Sequence, residues 1–568
     1  MRLRLLAPLV VVLLAAGPAP AADPPVVFQT QPVGRILNDA RAVVGTVVGE
    51  KAVESVNAAI KEKLGEKGFA GLDLGRPVLG YVDLPADPAK AVGVLVVPVT
   101  EEKAFLGFFE RLTGVAPKAG AGGLYTVPVD DPGLTVGLRF ADGHAYLAAG
   151  SKDDGADPAA VLAKDRIVPA AKLYDPADPS VLAVRVLFDR LPPELRGRAK
   201  NLLAEAKKAT GLIPFPDEVA GPAGRAVEQG LKLAERYLKL SEGAKAAAVR
   251  VTLDAAAAEL GAELTVVPLP GSELGKQIAA RTPTTNRFAG ILTPDTASVQ
   301  VIRLPLFNDE LRTAATEGLD AALKGTAGIG GSTGDLVQEL LKGAIRTVKT
   351  GEVDVAGAVR GPDKNGKFTA VGVVAFEDPA AVEKAVKAVL DNDAPPEIRR
   401  AVKWNAAKAA GLAVHVLDFG KLPQDGGGRL FLGPDLKVFG GADAQAALVF
   451  APKAVYYAIG PDAVGAVKGL LALRPGDAPV VDVTLNPARI IKFMTASGAQ
   501  PREVNEIAKM LGTDDRSIRL GSLAVTGGGE LKVTGRVNLR LIIGWFGANA
   551  AATFEPVAPL PPDARLRR

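Results

Sequence analysis

The chain of 568 residues contains no cysteine, two histidines, two tryptophans and three methionines. The absence of cysteine excludes disulfides, thiolate metal sites, cysteine nucleophiles and a lipid-bearing cysteine near the N-terminus. The two histidines, His144 and His415, have no histidine or cysteine at the i+2 to i+4 spacings typical of zinc ligands, so a zinc site would need scattered carboxylates. Aromatic residues make up 5% of the chain. Neither charge sign dominates: Lys and Arg number 67 against 63 Asp and Glu, for a formal charge of +4. A balance so near neutral gives no global electrostatic reason to seek nucleic acid.

Long apolar runs are also scarce. Residues 5–16 form one, between a positive start (Arg2, Arg4) and the small-x-small pattern Ala19-Pro20-Ala21. That run is too short for a membrane span and reads as a signal peptide over 1–22, so the chain is expected in the periplasm or outside the cell. Removing it takes away two positive charges and no acid. The next most apolar stretch, 537–552, is interrupted by Asn538, Arg540, Gly544 and Asn549 and reads as a strand with an apolar tail, not a transmembrane segment.

What the chain does have is internal similarity. Phe140, Ala141, Tyr146, Ala148 and Gly150 return at one offset as Phe450, Ala451, Tyr456, Ala458 and Gly460. In the same order, Gly123-Leu124 and Asp130 match Gly411-Leu412 and Asp418. Gly80, Val82 and Pro85 match Gly357, Val359 and Pro362, and 181–184 matches 480–483, with Arg190 falling on Arg489. A period this long points to duplication of a domain, not to a stacked array of short repeats. The expected organisation is repeat one over 23–283, with a helical insertion at about 192–240, repeat two over 284–553, and a Pro-rich disordered tail over 554–568.

Each repeat carries the same coarse pattern. In the first, 52–66 reads as a helix and 78–84 and 92–99 as strands. A helix capped by Thr100 follows, with Phe105, Phe108, Phe109 and Leu112 on one face. Strands are predicted at 124–129, 134–140 and 145–149, with Asp142-Gly143 as a hairpin turn. In the second, strands are predicted at 353–359 and 368–376, then a helix with Asp378 as cap and Pro379 at its first position. Its apolar stripe is Val382, Val386, Val389 and Leu390. Strands at 412–419, 447–450 and 455–459 and a helix at 463–473 complete the unit. Strands at 181–188 and 480–485, helices, and meanders at 248–267 and 517–539 read as a second lobe of each copy. The fold class is α+β: a tandem duplication of an antiparallel-sheet unit with helices on one face, each copy in two lobes.

Candidate chemistry is sparse. Gly330-Gly331-Ser332-Thr333-Gly334 matches G-x-S-x-G, with His415 downstream in hydrolase order. That motif needs a strand delivering the serine onto a sharp turn, whereas 309–324 reads as a helix. Ser332 or Thr333 as cap of a helix starting near Asp335 is the plainer reading. The P-loop-like stretch 325–332 has Gly331 where the lysine must stand. The pairs Asp130-Asp131, Asp153-Asp154 and Asp514-Asp515 fall in predicted turns, not at cleft-facing strand ends. Arg190, Arg196, Arg198, Lys200, Lys207 and Lys208 make the insertion basic on one side, diluted by Glu194 and Glu205. Trp404 and Trp545 read as core residues.

The unit of strand, apolar strand, capped helix, Gly-Leu-x-x-x-x-x-Asp strand and Phe-Ala-x-x-x-x-Tyr hairpin resembles exported bacterial proteins of unknown function with duplicated α+β domains. The resemblance implies a signal peptide and paired lobes, and brings no catalytic residues. The chain is therefore expected to be a non-catalytic binding or structural protein of the cell envelope, without cofactor or metal, that engages a protein partner. The alternatives are a carrier of a lipid-like ligand in a cleft between the repeats and a serine hydrolase using Ser332 and His415. Leu212, Ile213, Phe215, Ile542, Ile543, Trp545 and Phe546 are the candidate apolar binding surface, because they have no evident core duty.

Overall fold

The computed structural model describes residues 24–540 except 86, 130, 193–241, 281–284, 306–308, 423–435 and 478. The protein is α+β and divides into two compact units, Met1–Thr282 with Thr526–Thr534, and Pro283–Val525 with Gly535–Arg568. The segments expected to be a signal peptide, a helical insertion and a Pro-rich tail lie outside the described residues.

In the first unit the strands are β1 (Val26–Pro32), β2 (Pro77–Asp83), β3 (Val92–Pro98), β4 (Lys118–Ala119), β5 (Leu124–Thr126), β6 (Leu134–Ala141), β7 (His144–Ser151), β8 (Leu182–Leu187), β9 (Ala244–Asp254) and β10 (Glu259–Pro268). All pair antiparallel, in the order β10-β9-β8-β1-β2-β3-β7-β6-β5-β4. The helices are α1 (Val33–Val47), α2 (Glu50–Leu64), α3 (Glu102–Thr113), the single turns α4 (Pro158–Val161) and α5 (Ala170–Leu173), and α6 (Glu273–Ala279).

The second unit contains β11 (Thr285–Asn286), β12 (Thr296–Pro305), β13 (Glu352–Arg360), β14 (Thr369–Ala375), β15 (Val402–Ala409), β16 (Leu412–Asp418), β17 (Gln445–Ala451), β18 (Ala454–Gly460), β19 (Gly476–Asp477), β20 (Val481–Leu485) and β21 (Ile518–Thr526). A last strand, β22 (Leu531–Asn538), ends the described sheet strands. β11 pairs with β19. The main sheet runs β21-β20-β12-β13-β14-β18-β17-β16-β15, again antiparallel throughout. Its helices are α7 (Asp309–Gly325), α8 (Gly331–Lys349), α9 (Pro379–Asn392), α10 (Pro396–Ala401), α11 (Ala463–Leu471), α12 (Pro487–Ala496) and α13 (Pro501–Leu511).

From β9 to β4 and from β21 to β15 the two orders coincide strand for strand, and the coincidence reaches the register. Gly80 pairs with Leu95, and Leu95 with Leu147. Gly357 pairs with Gly372, and Gly372 with Tyr457. The segments read in sequence as second lobes extend these same sheets, since β8 bonds directly to β1 and β20 to β12.

The period-2 alternation of β3 puts Val92, Val94 and Val96 on one face, with Tyr81, Tyr146 and Leu79, where Val161 and Leu173 of α4 and α5 cover them. On the opposite face Leu138 and Ala145 pack against Phe105 and Phe108 of α3 and Leu64 of α2. The longer helices thus gather on one face as the sequence suggests, but a thinner helical layer on the other face departs from the one-sided expectation. The second unit is also two-sided. Val467 and Leu470 of α11 pack on Val371, Val373 and Val449, while Gly343 of α8 approaches the ring of Phe376 on the other face.

Local chemistry sets the helix ends. Glu101, not Thr100, caps α3: its carboxylate accepts from the N–H groups of Lys103 (2.9 Å) and Ala104 (2.7 Å). A carboxylate suits this position twice over, because it satisfies free amides and faces the positive end of the helix dipole. Gly114, left-handed at φ 79°, ends the helix. Asp378 caps α9, with Pro379 following as expected. The strand expected over 124–129 stops at Thr126.

Candidate functional site

α3 lies across β3, β5, β6 and β7 with its Phe105–Leu112 stripe turned to the sheet. Phe105 is 2% and Phe108 7% exposed, whereas Leu112 at the end of the stripe is 45% exposed. Phe105 meets Phe140 edge-on at 5.8 Å, and Tyr125 meets Phe140 in the same way. The stripe does not reach every apolar residue on this face. Between α3 and the sheet lies a pocket of 260 Å³, lined among others by Leu95, Phe109, Val129, Leu134, Val136 and Leu147. Among the described residues Thr113 is the one polar side chain along it, and its hydroxyl donates to the Phe109 carbonyl of its own helix at 2.8 Å. A cavity so lined gives a water molecule no partner to bond, and favours an apolar occupant.

A second, polar pocket of 290 Å³ lies over the β1–β8–β9 part of the same unit, lined by Gln29, Lys172, Tyr174, Asp175, Arg185 and Arg250 among others. Its polar groups are largely engaged with one another. Gln29 donates to the Asp175 carbonyl and accepts from the Asp175 amide, and Arg250 donates to Asp178 at 2.9 Å. Burial works to raise the Asp178 carboxyl, but hydrogen bonds from Ser180 and Arg250 outweigh it and hold the group below its ordinary range.

In the second unit, α9 crosses the sheet as α3 does in the first. Counted from the caps Glu101 and Asp378, Val382 and Ala385 stand where α3 carries Phe105 and Phe108, and Glu383 and Lys387 stand where it has Leu106 and Glu110. With Phe450 matched to Phe140, the strand register puts His415 where the first unit has Tyr125. Polar groups of the helix and of the strand meet here. His415 is 4% exposed. Its Nε2 lies 3.3 Å from Glu383 Oε1, and its Nδ1 accepts the Asn405 N–H at 3.1 Å. Lys387 donates to the same Glu383 oxygen at 2.6 Å and sits 5.0 Å from the Trp404 ring centroid. Trp404 is half-buried and edge-on to His415, with centroids 4.9 Å apart. Burial lowers the imidazole pKa, with Lys387 adding to the effect and Glu383 opposing it. In the same unit Asp354 is fully buried, and neither of its oxygens has a hydrogen-bond partner among the described residues.

The residues singled out from sequence fare unevenly. Leu212, Ile213, Phe215, Ile542, Ile543, Trp545 and Phe546 lie outside the described residues, as do Arg196 to Lys208. Ser332 sits in the first turn of α8 behind a helix and a short turn, and its hydroxyl accepts from Asn392 Nδ2 at 3.1 Å. The strand-to-helix delivery of a hydrolase serine is absent there. The expected cap role is also corrected: Gly330 is the cap position, without a side-chain bond, and the Thr333 N–H donates to Asp393. His144 is buried at 9% exposure, its Nδ1 2.8 Å from the Asp142 carbonyl. Asp131 accepts from Gly133 in a turn, and Asp515 accepts from Asn486. Among the described residues there is no cluster suited to a metal ion and no helix long and apolar enough to cross a membrane.

No family model and no curated protein matches the chain. Among solved structures it is similar to TP0453 in crystal forms I, III and IV, at 9–11% identity and a TM-score of 0.22. The match covers 44–46% of this chain and 78–83% of that one. A score of that size carries no argument about shared fold or role.

Proposed function

We propose that the chain is an exported, non-catalytic binding protein of the cell envelope, and that its ligand is apolar and lodges under α3 of the first unit. The observation that carries this reading is the 260 Å³ pocket with one internally bonded hydroxyl along its lining. It is larger than the ~150 Å³ apolar cavities that bind benzene and stays close to the small end of ordinary ligand sites. The place differs from the cleft between repeats suggested by sequence. The coinciding strand orders support descent of the two units from one duplicated domain, with the first carrying Phe105 and Phe108 where the second has the smaller Val382 and Ala385.

The test is binding of a fluorescent fatty acid, with native mass spectrometry of the purified chain for retained lipid. Leu95→Arg places a charge in the pocket and is expected to abolish binding. Tyr457→Ala, on the second unit, is expected to leave it intact. Equal binding by wild type and Leu95→Arg, with no lipid retained by either, would remove the reading.

A further inference from the structure

The Glu383–His415–Trp404 cluster is attached to an irregular point of the sheet. β15 pairs with β16 as Lys403↔Val416 and Ala407↔Val414, so Trp404, Asn405 and Ala406 all stand opposite the single residue His415. Such a bulge leaves backbone groups without ladder partners. One of them, the Asn405 N–H, is satisfied by the His415 ring. Asn405 itself is left-handed, at φ 54°, an uncommon conformation for a residue with a side chain and one that needs its surroundings to hold it.

These contacts fix the chemistry of the ring. Nδ1 accepts a hydrogen bond, so it carries no proton, and the ring proton is on Nε2, toward Glu383. Protonation of the ring puts a second N–H at Nδ1, directly against the Asn405 N–H. An attractive contact then becomes donor facing donor. The charged groups that face the ring come from α9: Glu383, which favours the imidazolium, and Lys387, which opposes it. β15 contributes Trp404 and Asn405, and β17 contributes Phe450 with its ring 5.9 Å away, none of which titrates near neutrality. The nearest flanking ion pair, Lys403 with Asp418 at 3.8 Å, joins β15 to β16.

We propose that His415 is a proton-operated latch on the β15 bulge: the neutral imidazole pins Trp404 and Asn405, and proton uptake at Nδ1 releases them. The released element is local, because β15 is the outermost strand of this sheet and bonds only to β16 among the described residues. The same comparison of units gives the first no such device, since the ring of Tyr125 at the matching position has no nitrogen to accept a hydrogen bond.

The chain's poverty in histidine and tryptophan makes the test direct. In full-length Trp545→Phe protein, Trp404 is the sole tryptophan, and ¹⁵N-labelled protein shows two imidazoles, separable by His144→Asn. The His415 ring is expected to be protonated on Nε2 at neutral pH and to titrate below 6.5, the ordinary value. Trp404 emission and Asn405 amide exchange, corrected for the intrinsic rate, are expected to change with that same midpoint. Above that midpoint each pH unit of acidification multiplies the released population about tenfold, and release is half complete at the midpoint itself. Glu383→Gln is expected to lower the midpoint further. His415→Asn, which keeps an acceptor near the Nδ1 position, is expected to hold the bulge and abolish the transition. Two results would each overturn the proposal: an Nδ1-protonated ring at neutral pH, or Trp404 emission indifferent to the His415 titration in the wild-type background.

Discussion

The ring of Phe28 lies across Gly80, in the space that a side chain at position 80 would take. The two face each other as direct partners between β1 and β2. A methyl group there would drive the ring from its place at the edge of the α3 pocket. Gly80→Ala is therefore expected to destabilise the first unit by about 1–3 kcal/mol, the usual cost of overpacking. At the matched Gly357, a Cβ would stand 3.7 Å from its nearest neighbour, the Val371 carbonyl oxygen, an ordinary contact. Gly357→Ala should be nearly neutral, and urea unfolding of the two variants makes the comparison.

Loss of the α3 cap should be felt at residue 101 and not at 100. Glu101→Ala leaves two amides without their acceptor and is expected to cost about 1 kcal/mol, while Thr100→Ala stays within ~0.5 kcal/mol. Thermal denaturation of both reads the difference.

Along the stripe of α3 the effect of truncation should follow burial. Phe105→Ala is expected to cost roughly 3–5 kcal/mol, and Leu112→Ala, at the exposed end, under ~0.5 kcal/mol. Equal losses would mean that the helix does not bury its aromatic face as described.

Two buried groups have opposite pH signatures. Burial, with help from Arg76, lowers the His144 pKa below 6.5, while its bond to the Asp142 carbonyl opposes the shift. The unfolded chain then binds the extra proton first, so this contribution to stability is full above 6.5 and is lost as pH falls. Burial raises the Asp354 pKa above 3.8, against the pull of Arg303 and Arg287. Here the folded chain binds the proton first, and stability rises as pH falls through that window. His144→Asn is expected to flatten the acid loss and Asp354→Asn to remove the acid gain. Urea midpoints from neutral to mildly acidic pH, taken as differences from wild type, check both signs.

Much of the fold is legible in the sequence. The alternation in β3, the Asp142-Gly143 turn and the matched Gly80 and Gly357 place strands and register, because side-chain period and turn chemistry are local properties. What resists is tertiary. Leu124 begins a strand that ends at Thr126, two residues before Pro128, which has no N–H to offer a ladder. Helix α1 (Val33–Val47) follows the entry strand without a side-chain cap to announce it, and four-residue α4 and α5 are too short to show a period. The pocket arises from how far α3 reaches over β3 and β7, a distance no residue pattern encodes. His415 reads as an isolated histidine because its partners lie on α9 and across the bulge. The usable signal is the replacement of Leu106 and Tyr125 by Glu383 and His415 between otherwise matched segments, a carboxylate and an imidazole at one place on a packed face.

The bulge of β15 has a meaning for the protein's neighbours as well as for itself. An outermost strand offers unpaired backbone to any extended chain that drifts by, and a straight one invites a stranger to zip on. Here the register jumps between Lys403 and Ala407, and exposed Lys403 and Lys408 flank the jump. A would-be added strand meets a mismatch and two positive charges within a few residues. The irregularity that holds His415 therefore also works against edge-to-edge pairing of identical copies along β15.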